Sequence, residues 1–162
     1  VTDGAGTSPI RDAAPEDVPA ILGLIRELAE YERAADQVVA MESDLARWLF
    51  GPDRMASALV AEVDGEVVGF ALWFLNFSTW LGLPGIYLED LYVRPGRRGT
   101  GLGRALLLEL VAIARQRGYG RVEWSVLDWN TPAIGFYRAL GARPMDDWTT
   151  WRLDGHPIRD GG

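Results

Sequence analysis

Tyr87-Leu88-Glu89-Asp90-Leu91-Tyr92-Val93-Arg94-Pro95-Gly96-Arg97-Arg98-Gly99-Thr100-Gly101-Leu102-Gly103-Arg104 decides how this chain is read. An apolar stretch, Ile86 to Val93, is interrupted by two carboxylates and predicts a strand. A turn with paired arginines and three glycines follows, and a strongly apolar helix is expected over Gly101 to Gln116, closed by Gly118. Glycines let a backbone approach a ligand and adopt positive φ. The free N–H groups and the dipole at a helix start attract an anion. Arg97 and Arg98 add charge-assisted donors suited to two linked phosphates. The turn therefore reads as a pyrophosphate cradle.

Two familiar phosphate loops are excluded. The P-loop requires Gly-Lys-Ser/Thr, and all 16 basic residues of this chain are arginines. The dinucleotide fingerprint requires Gly-x-Gly-x-x-Gly in an opening βαβ unit, whereas here the spacing is Gly-x-Gly-x-Gly and the turn comes late.

Outward from the turn, the elements alternate in type. Ser8 to Asp12 reads as a short strand. A helix starts at Asp12 or at Pro15-Glu16-Asp17, with Val18, Ile21, Leu22, Ile25, Leu28 and Ala29 on one face. A second helix is expected over Glu42 to Phe50, ended by Gly51-Pro52. Strands Ser57 to Val63 and Val67 to Phe77 are joined at Asp64-Gly65, a hairpin signal. A Gly/Pro loop is expected at Leu81 to Gly85. Further strands are expected at Arg121 to Leu127 and Trp148 to Leu153, with a helix from Pro132 to Leu140 stopped by Gly141. This is an α/β pattern, antiparallel in its first half. The expected layout is a lead over residues 1–9, one domain over 10–153 and a polar tail over 154–162.

Composition narrows the function classes. The chain has 162 residues and a formal charge of −7, with 23 acids against 16 arginines, which argues against a nucleic-acid partner. No apolar stretch approaches the ~20 residues of a membrane span. Val1 to Pro9 has neither a basic start nor an apolar core, so a cytoplasmic location is expected. Cysteine is absent and His156 is the only histidine. Thiolate nucleophiles, Ser/His/Asp sets and metal clusters are thus not expected, and His156 reads as a surface residue.

Arg98-x-x-Gly101-x-Gly103 resembles the Arg/Gln-x-x-Gly-x-Gly/Ala motif of the GNAT superfamily of N-acetyltransferases. Its surroundings resemble the diamine (spermidine/spermine) N-acetyltransferase branch. The matching pieces are Glu27-Leu28-Ala29-Glu30-Tyr31-Glu32, Tyr87 to Val93, Trp129-Asn130-x-Pro132 and Phe136-Tyr137-x-x-x-Gly141-Ala142. The resemblance implies the three-layer GNAT fold, with a mixed, mostly antiparallel twisted sheet between helices. It also implies transfer of acetyl from acetyl-coenzyme A to an amine, with a homodimer as the common assembly and no metal. The backbone of Leu91, Tyr92 and Val93 is implied to meet the pantetheine arm, with Leu91 N–H polarising the thioester carbonyl. Arg97, Arg98, Gly99, Thr100, Gly101, Leu102, Gly103 and Arg104 are implied to hold the pyrophosphate. Asn130, Pro132, Ala133 and Tyr137 are implied to lie along the coenzyme arm.

Acetyl transfer needs a neutral amine, yet alkylammonium groups titrate near ~10.4. Glu89 is the expected base, directly or through water. It adjoins Asp90, and paired carboxylates raise one pKa. Strand alternation predicts opposite faces for the two. Tyr137 is the expected acid toward the leaving thiolate. Tyr31, Glu32, Trp80, Glu89, Asp90, Glu123, Trp124, Ser125 and Trp129 form the expected amine-facing set. The tryptophans are read as walls for a methylene chain or a cation. Ser78 stands where polyamine-acting members of the branch tend to carry an acid, so the expected substrate is a small aliphatic primary amine: a diamine or polyamine, or a lysine-like amino acid. The alternatives are a protein N-terminal or lysine acetyltransferase and a non-catalytic acyl-coenzyme A binding module.

Overall fold

The computed structural model describes residues 8–154, so His156 and most of the expected lead and tail lie outside the described residues. The chain forms two compact units, one running to Ser125 and the other from Val126.

The first unit is built on a five-stranded sheet: β1 (Ile10–Asp12), β2 (Ser57–Val63), β3 (Glu66–Ser78), β4 (Leu83–Val93) and β5 (Val122–Trp124), side by side in chain order. All neighbours run antiparallel except β4 and β5. A parallel neighbour needs a crossover. α3 (Leu102–Gln116) is the helix that supplies it.

α1 (Val18–Tyr31) and α2 (Glu42–Phe50) pack on one face of the sheet. Ile21, Leu24 and Leu28 of α1 and Leu49 of α2 meet Val60, Phe70 and Tyr92. Burying a large aliphatic side chain is worth roughly 1.5–3 kcal/mol, so this seam is the main tie between helices and sheet. On the other face lies α3, whose Leu102, Leu106, Leu107, Leu110 and Ala114 are buried. α1 starts after a 3₁₀ turn at Pro15–Asp17. Asp17 there is gripped by both terminal nitrogens of Arg11 (2.7 and 3.0 Å) and accepts the Ala14 N–H. The Arg11 hydrogen bonds hold its carboxyl below the usual carboxylate range.

The β2–β3 hairpin turns at Asp64 and Gly65, both at positive φ (54° and 77°), as the two-residue turn requires. β4 begins at Leu83, so it takes in Pro84 and Gly85, which the sequence places in a loop. Proline is tolerated because β5 pairs only with Ile86, Tyr87 and Leu88, leaving that margin of Pro84 without a strand. A Cβ at Gly85 would lie 2.7 Å from Asn76 Oδ1. A side chain there would require Asn76 to shift.

Two expected strands are corrected. Arg121 to Leu127 contracts to β5, Val122–Trp124. Trp148 to Leu153 forms no strand. Its Trp and Thr residues favour pleated surfaces, but a strand exists only with a partner edge, and no strand pairs with it among the described residues. The second unit contains α4 (Thr131–Ala139).

Candidate active site

The acids assemble at a defect in the sheet. Leu72 pairs with Asp90 and Trp73 with Leu88, so Glu89 is an extra residue and the ladder bulges there. In a bulge two residues oppose one, and strict alternation stops. Glu89 and Asp90 both lie opposite Leu72, whose side chain packs on the α1/α2 face. The expectation that the two carboxylates point to opposite faces is therefore wrong, because it assumed an unbroken pleat.

Asp90 is pushed up to about 6, first by burial and then by the like charges of Glu89 and Glu32. Glu32 follows the last residue of α1, and burial raises its carboxyl as well. Three acids from two distant stretches thus share one neighbourhood, a field suited to a cation. Tyr87, two residues before Glu89, packs its ring 5.2 Å from that of Phe74 and shares a 2.7 Å hydrogen bond with Ser125. Tyr87 was quoted in the motif but not placed in the expected site; its spacing from Glu89, one pleat repeat along β4, was the available signal.

From Glu89 to Val93, the margin of β4 toward β5 has no strand beside it among the described residues. That margin leads into the glycine turn, a 3₁₀ turn at Pro95–Arg97 followed by Gly99 and Gly101 at φ 77° and 85°. Gly101 is the N-cap of α3 and has no side chain to cap with. The helical ladder opens with Ala105 N–H donating to Gly101 C=O at 2.9 Å. The N–H groups of Leu102, Gly103 and Arg104 therefore have no acceptor within the helix, which is the anion-binding arrangement. A Cβ at Gly103 would make only ordinary contact with the Val93 side chain, at 3.9 Å. Thr100 Oγ1 donates to Arg97 C=O (2.6 Å) and closes the turn.

The paired arginines behave differently. Arg97 reaches Asp64 at 3.5 Å, with both side chains well exposed, a contact worth little. Arg98 is exposed as a residue, yet its Nε donates to Val93 C=O at 3.0 Å, and its guanidinium carbon lies 5.1 Å from the Tyr31 ring and 5.4 Å from the Tyr92 ring.

An α/β unit in which β4 runs into an uncapped, glycine-lined helix start is the arrangement that the motif implied; the bulge is an addition of the structure. Residues 21–142 match the model of the acetyltransferase (GNAT) family. The chain belongs to that family. It is 40% identical to thialysine N-epsilon-acetyltransferase of Bos taurus over 93% of its own length and 95% of the relative's. It is 32% identical to an L-ornithine N5-acetyltransferase of Arabidopsis thaliana over 94% and 86%. It is 34% identical to a human spermidine/spermine N(1)-acetyltransferase-like protein over 89% of this chain and 22% of that one. A solved integron cassette protein from V. cholerae superposes with a TM-score of 0.77 at 26% identity, over 93% and 94% of the two chains. This GNAT protein is an N-acetyltransferase, and the family's acyl donor is acetyl-coenzyme A.

The remaining expected residues divide as follows. Glu123 forms an ion pair with Arg121, so its charge is already answered. Trp124 lies on β5 beside it. Trp80 stands 86% exposed at the β3–β4 connection. Ser78 is buried and its Oγ accepts Leu81 N–H at 3.2 Å, which gives this residue a local role in the turn. In the second unit, Asn130 caps α4 by accepting Ala133 N–H at 3.4 Å, with Pro132 in the first turn. Tyr137 is half-buried on α4, its ring 5.2 Å from that of Phe136. Trp129, just before α4, is 44% exposed. No cluster of three metal-ligating side chains occurs among the described residues, and no described helix is long and apolar enough to cross a membrane.

Proposed function

We propose that this N-acetyltransferase moves the acetyl group of acetyl-coenzyme A to the terminal amine of a small aliphatic substrate, a lysine-like amino acid or a short diamine. The observation that carries the reading is the bulge that turns Glu89 and Asp90 to one side of β4, immediately before the open margin and the glycine turn. The names of the relatives, which act on thialysine and L-ornithine, support the same substrate class.

The reaction follows from what each group can hold. The coenzyme's phosphates would lie on the free N–H groups of Leu102, Gly103 and Arg104, helped by Arg97. Its pantetheine arm would run along Leu91, Tyr92 and Val93, with Asn130, Pro132 and Ala133 on the same path. Asp90, Glu32 and Glu89 attract the ammonium. Glu89 takes its proton, directly or through a water, and the freed nitrogen lone pair bonds to the thioester carbonyl carbon. Leu91 N–H stabilises the oxygen as it gains charge. The carbon–sulfur bond then breaks and Tyr137 O–H protonates the departing thiolate, while the acylated nitrogen gives up its second proton to the phenolate so formed, directly or through water, leaving a neutral amide and free coenzyme A. Tyr31, Tyr87, Ser125, Trp80, Trp124 and Trp129 are proposed to shape the amine's path.

Thiol release from acetyl-coenzyme A across thialysine, lysine, ornithine, putrescine, spermidine and an N-terminal peptide tests this. Release with the lysine-like amino acids and short diamines is expected. Coenzyme binding with no release on any amine would contradict it in favour of a non-catalytic module.

A further inference from the structure

The end of α3 away from the glycine turn carries a second set of positive groups. Two cavities of about 200 and 290 Å³ adjoin there, and Arg54, Ser57, Trp73 and Arg117 line both, so the two make one cleft with these four at its waist. Arg54, from the connection between α2 and β2, and Arg117, the C-cap of α3, are exposed residues at its rim. Arg54 is held in place, with Nε donating to Ala56 C=O at 3.1 Å and a terminal nitrogen to Ser57 Oγ at 2.7 Å. The rest of its planar fork is left to bind something else. The Arg117 guanidinium carbon lies 5.8 Å from the centroid of the Trp73 ring. Among the described residues no carboxylate pairs with either arginine. Trp73 is only 5% exposed, and its indole N–H has no acceptor among them, a costly state for a buried donor. The closing carbonyls of α3 do not oppose an anion, because the N–H groups of Arg117, Gly118 and Tyr119 already occupy Ile113, Arg115 and Ala114 C=O.

We propose that this cleft is a binding site, separate from the acetyl-transfer site, for a small organic carboxylate with one negative charge and an apolar or aromatic body. None of the residues that line it belongs to the coenzyme or amine set. Two guanidiniums that no protein acid answers suit a carboxylate, whose two oxygens match their planar forks. Phe50 and Ile113 in the smaller cavity and Trp73 at the waist offer apolar surface to the ligand's body. Asp12 decides the charge. It stands on the wall of the smaller cavity and repels a second negative charge, so a phosphate is disfavoured against a carboxylate. The proposal does not depend on which amine the enzyme acetylates.

The test is a fluorine NMR titration of para-fluorobenzoate into the full chain saturated with coenzyme A, so that the glycine turn is already filled. Binding with a Kd of about 1 mM or tighter is expected. Arg54→Gln and Arg117→Gln should each weaken it by about tenfold, the scale of losing one charge-assisted partner. Arg117→Lys, which keeps the charge but loses the planar fork, should fall between Arg117→Gln and the native protein. The uncharged para-fluorobenzamide and inorganic phosphate should each bind at least about tenfold more weakly than para-fluorobenzoate. Asp12→Asn should improve phosphate binding by about threefold. On the protein side, the Trp73 indole N–H resonance, identified by its loss in Trp73→Phe, should move as the probe is added. The unchanged remainder of the amide spectrum shows that the exposed arginine variants keep the fold. No binding below about 10 mM, unchanged affinity in either Arg54→Gln or Arg117→Gln, or phosphate held as tightly as para-fluorobenzoate would overturn the proposal.

Discussion

The glycine turn and the acid cluster flank one short piece of β4 and are made of opposite materials. The turn is backbone: three N–H groups at the start of α3, exposed by residues that follow one another in the chain. The cluster is side chain: Glu32 from the end of α1 and Glu89 and Asp90 from a bulge, brought together by folding. A backbone site tolerates side-chain changes but not a changed φ. A side-chain site tolerates backbone neighbours but not a lost charge. The two should therefore break under different substitutions and in different kinetic constants.

The largest effect is expected from the proton carriers. Glu89→Gln and Tyr137→Phe should each lower kcat by about 10²-fold, within the range of general acid–base catalysis, with acetyl-coenzyme A affinity nearly unchanged in calorimetry. Full turnover in both would remove the roles proposed for them. Next comes the backbone site. Gly101→Val forces a β-branched residue to φ 85°, where L-residues pay about 1–2 kcal/mol, and should weaken acetyl-coenzyme A binding about tenfold. The amine KM measured at saturating coenzyme should stay put; an equal rise in both would show that the regions are not separable.

Asp90 gives a prediction of stability. Its folded carboxyl titrates at about 6, raised mainly by burial, against an unfolded value near ~3.9. A raised carboxyl favours the protonated form in the folded state, so its ionisation costs stability as pH rises from about 4 to about 6, and the full cost persists above that. Asp90→Asn should therefore raise stability at pH 7.5 by about 2 kcal/mol, with the gain fading below pH 4. The same variant should raise the amine KM, because a charge useful for binding is one that the fold pays to keep ionised. Denaturant unfolding at the two pH values checks the first part, and an equal gain at both would contradict it. The smallest effect should come from Asp64→Asn. It frees Arg97 from a weak, exposed pair and should tighten coenzyme binding by less than about threefold.

These differences also explain what the sequence allowed to be read. The turn was legible because its signals are local: glycines, arginines and a helix start in seven consecutive residues. The Asp64-Gly65 hairpin and α1 were legible for the same reason, since a two-residue turn and a 3.6-residue period need no knowledge of the partner. The acid cluster was half legible. Glu89, Asp90 and Glu32 stood out by their match to the diamine branch, but the bulge that puts Glu89 and Asp90 on one side depends on how β4 pairs with β3 across Leu72 and Trp73. The contact of Arg98 with Tyr31 was hidden because the two lie 67 positions apart in the chain. Trp148 to Leu153 failed in the opposite direction: its residues suit a strand, yet strand formation is a property of two edges rather than of one segment.

The central claim is that the paired β4 carboxylates select a small, charged amine and deliver its terminal nitrogen to the acetyl group. A competition assay tests it most directly: thialysine, ornithine, spermidine and an N-terminal peptide at equal concentration with limiting acetyl-coenzyme A, the products resolved by mass spectrometry. The account predicts acetyl on the side-chain nitrogen of thialysine or ornithine, and loss of that product in Glu89→Gln. Acetylation of the peptide ahead of the small amines, or the same product pattern in Glu89→Gln, would contradict it.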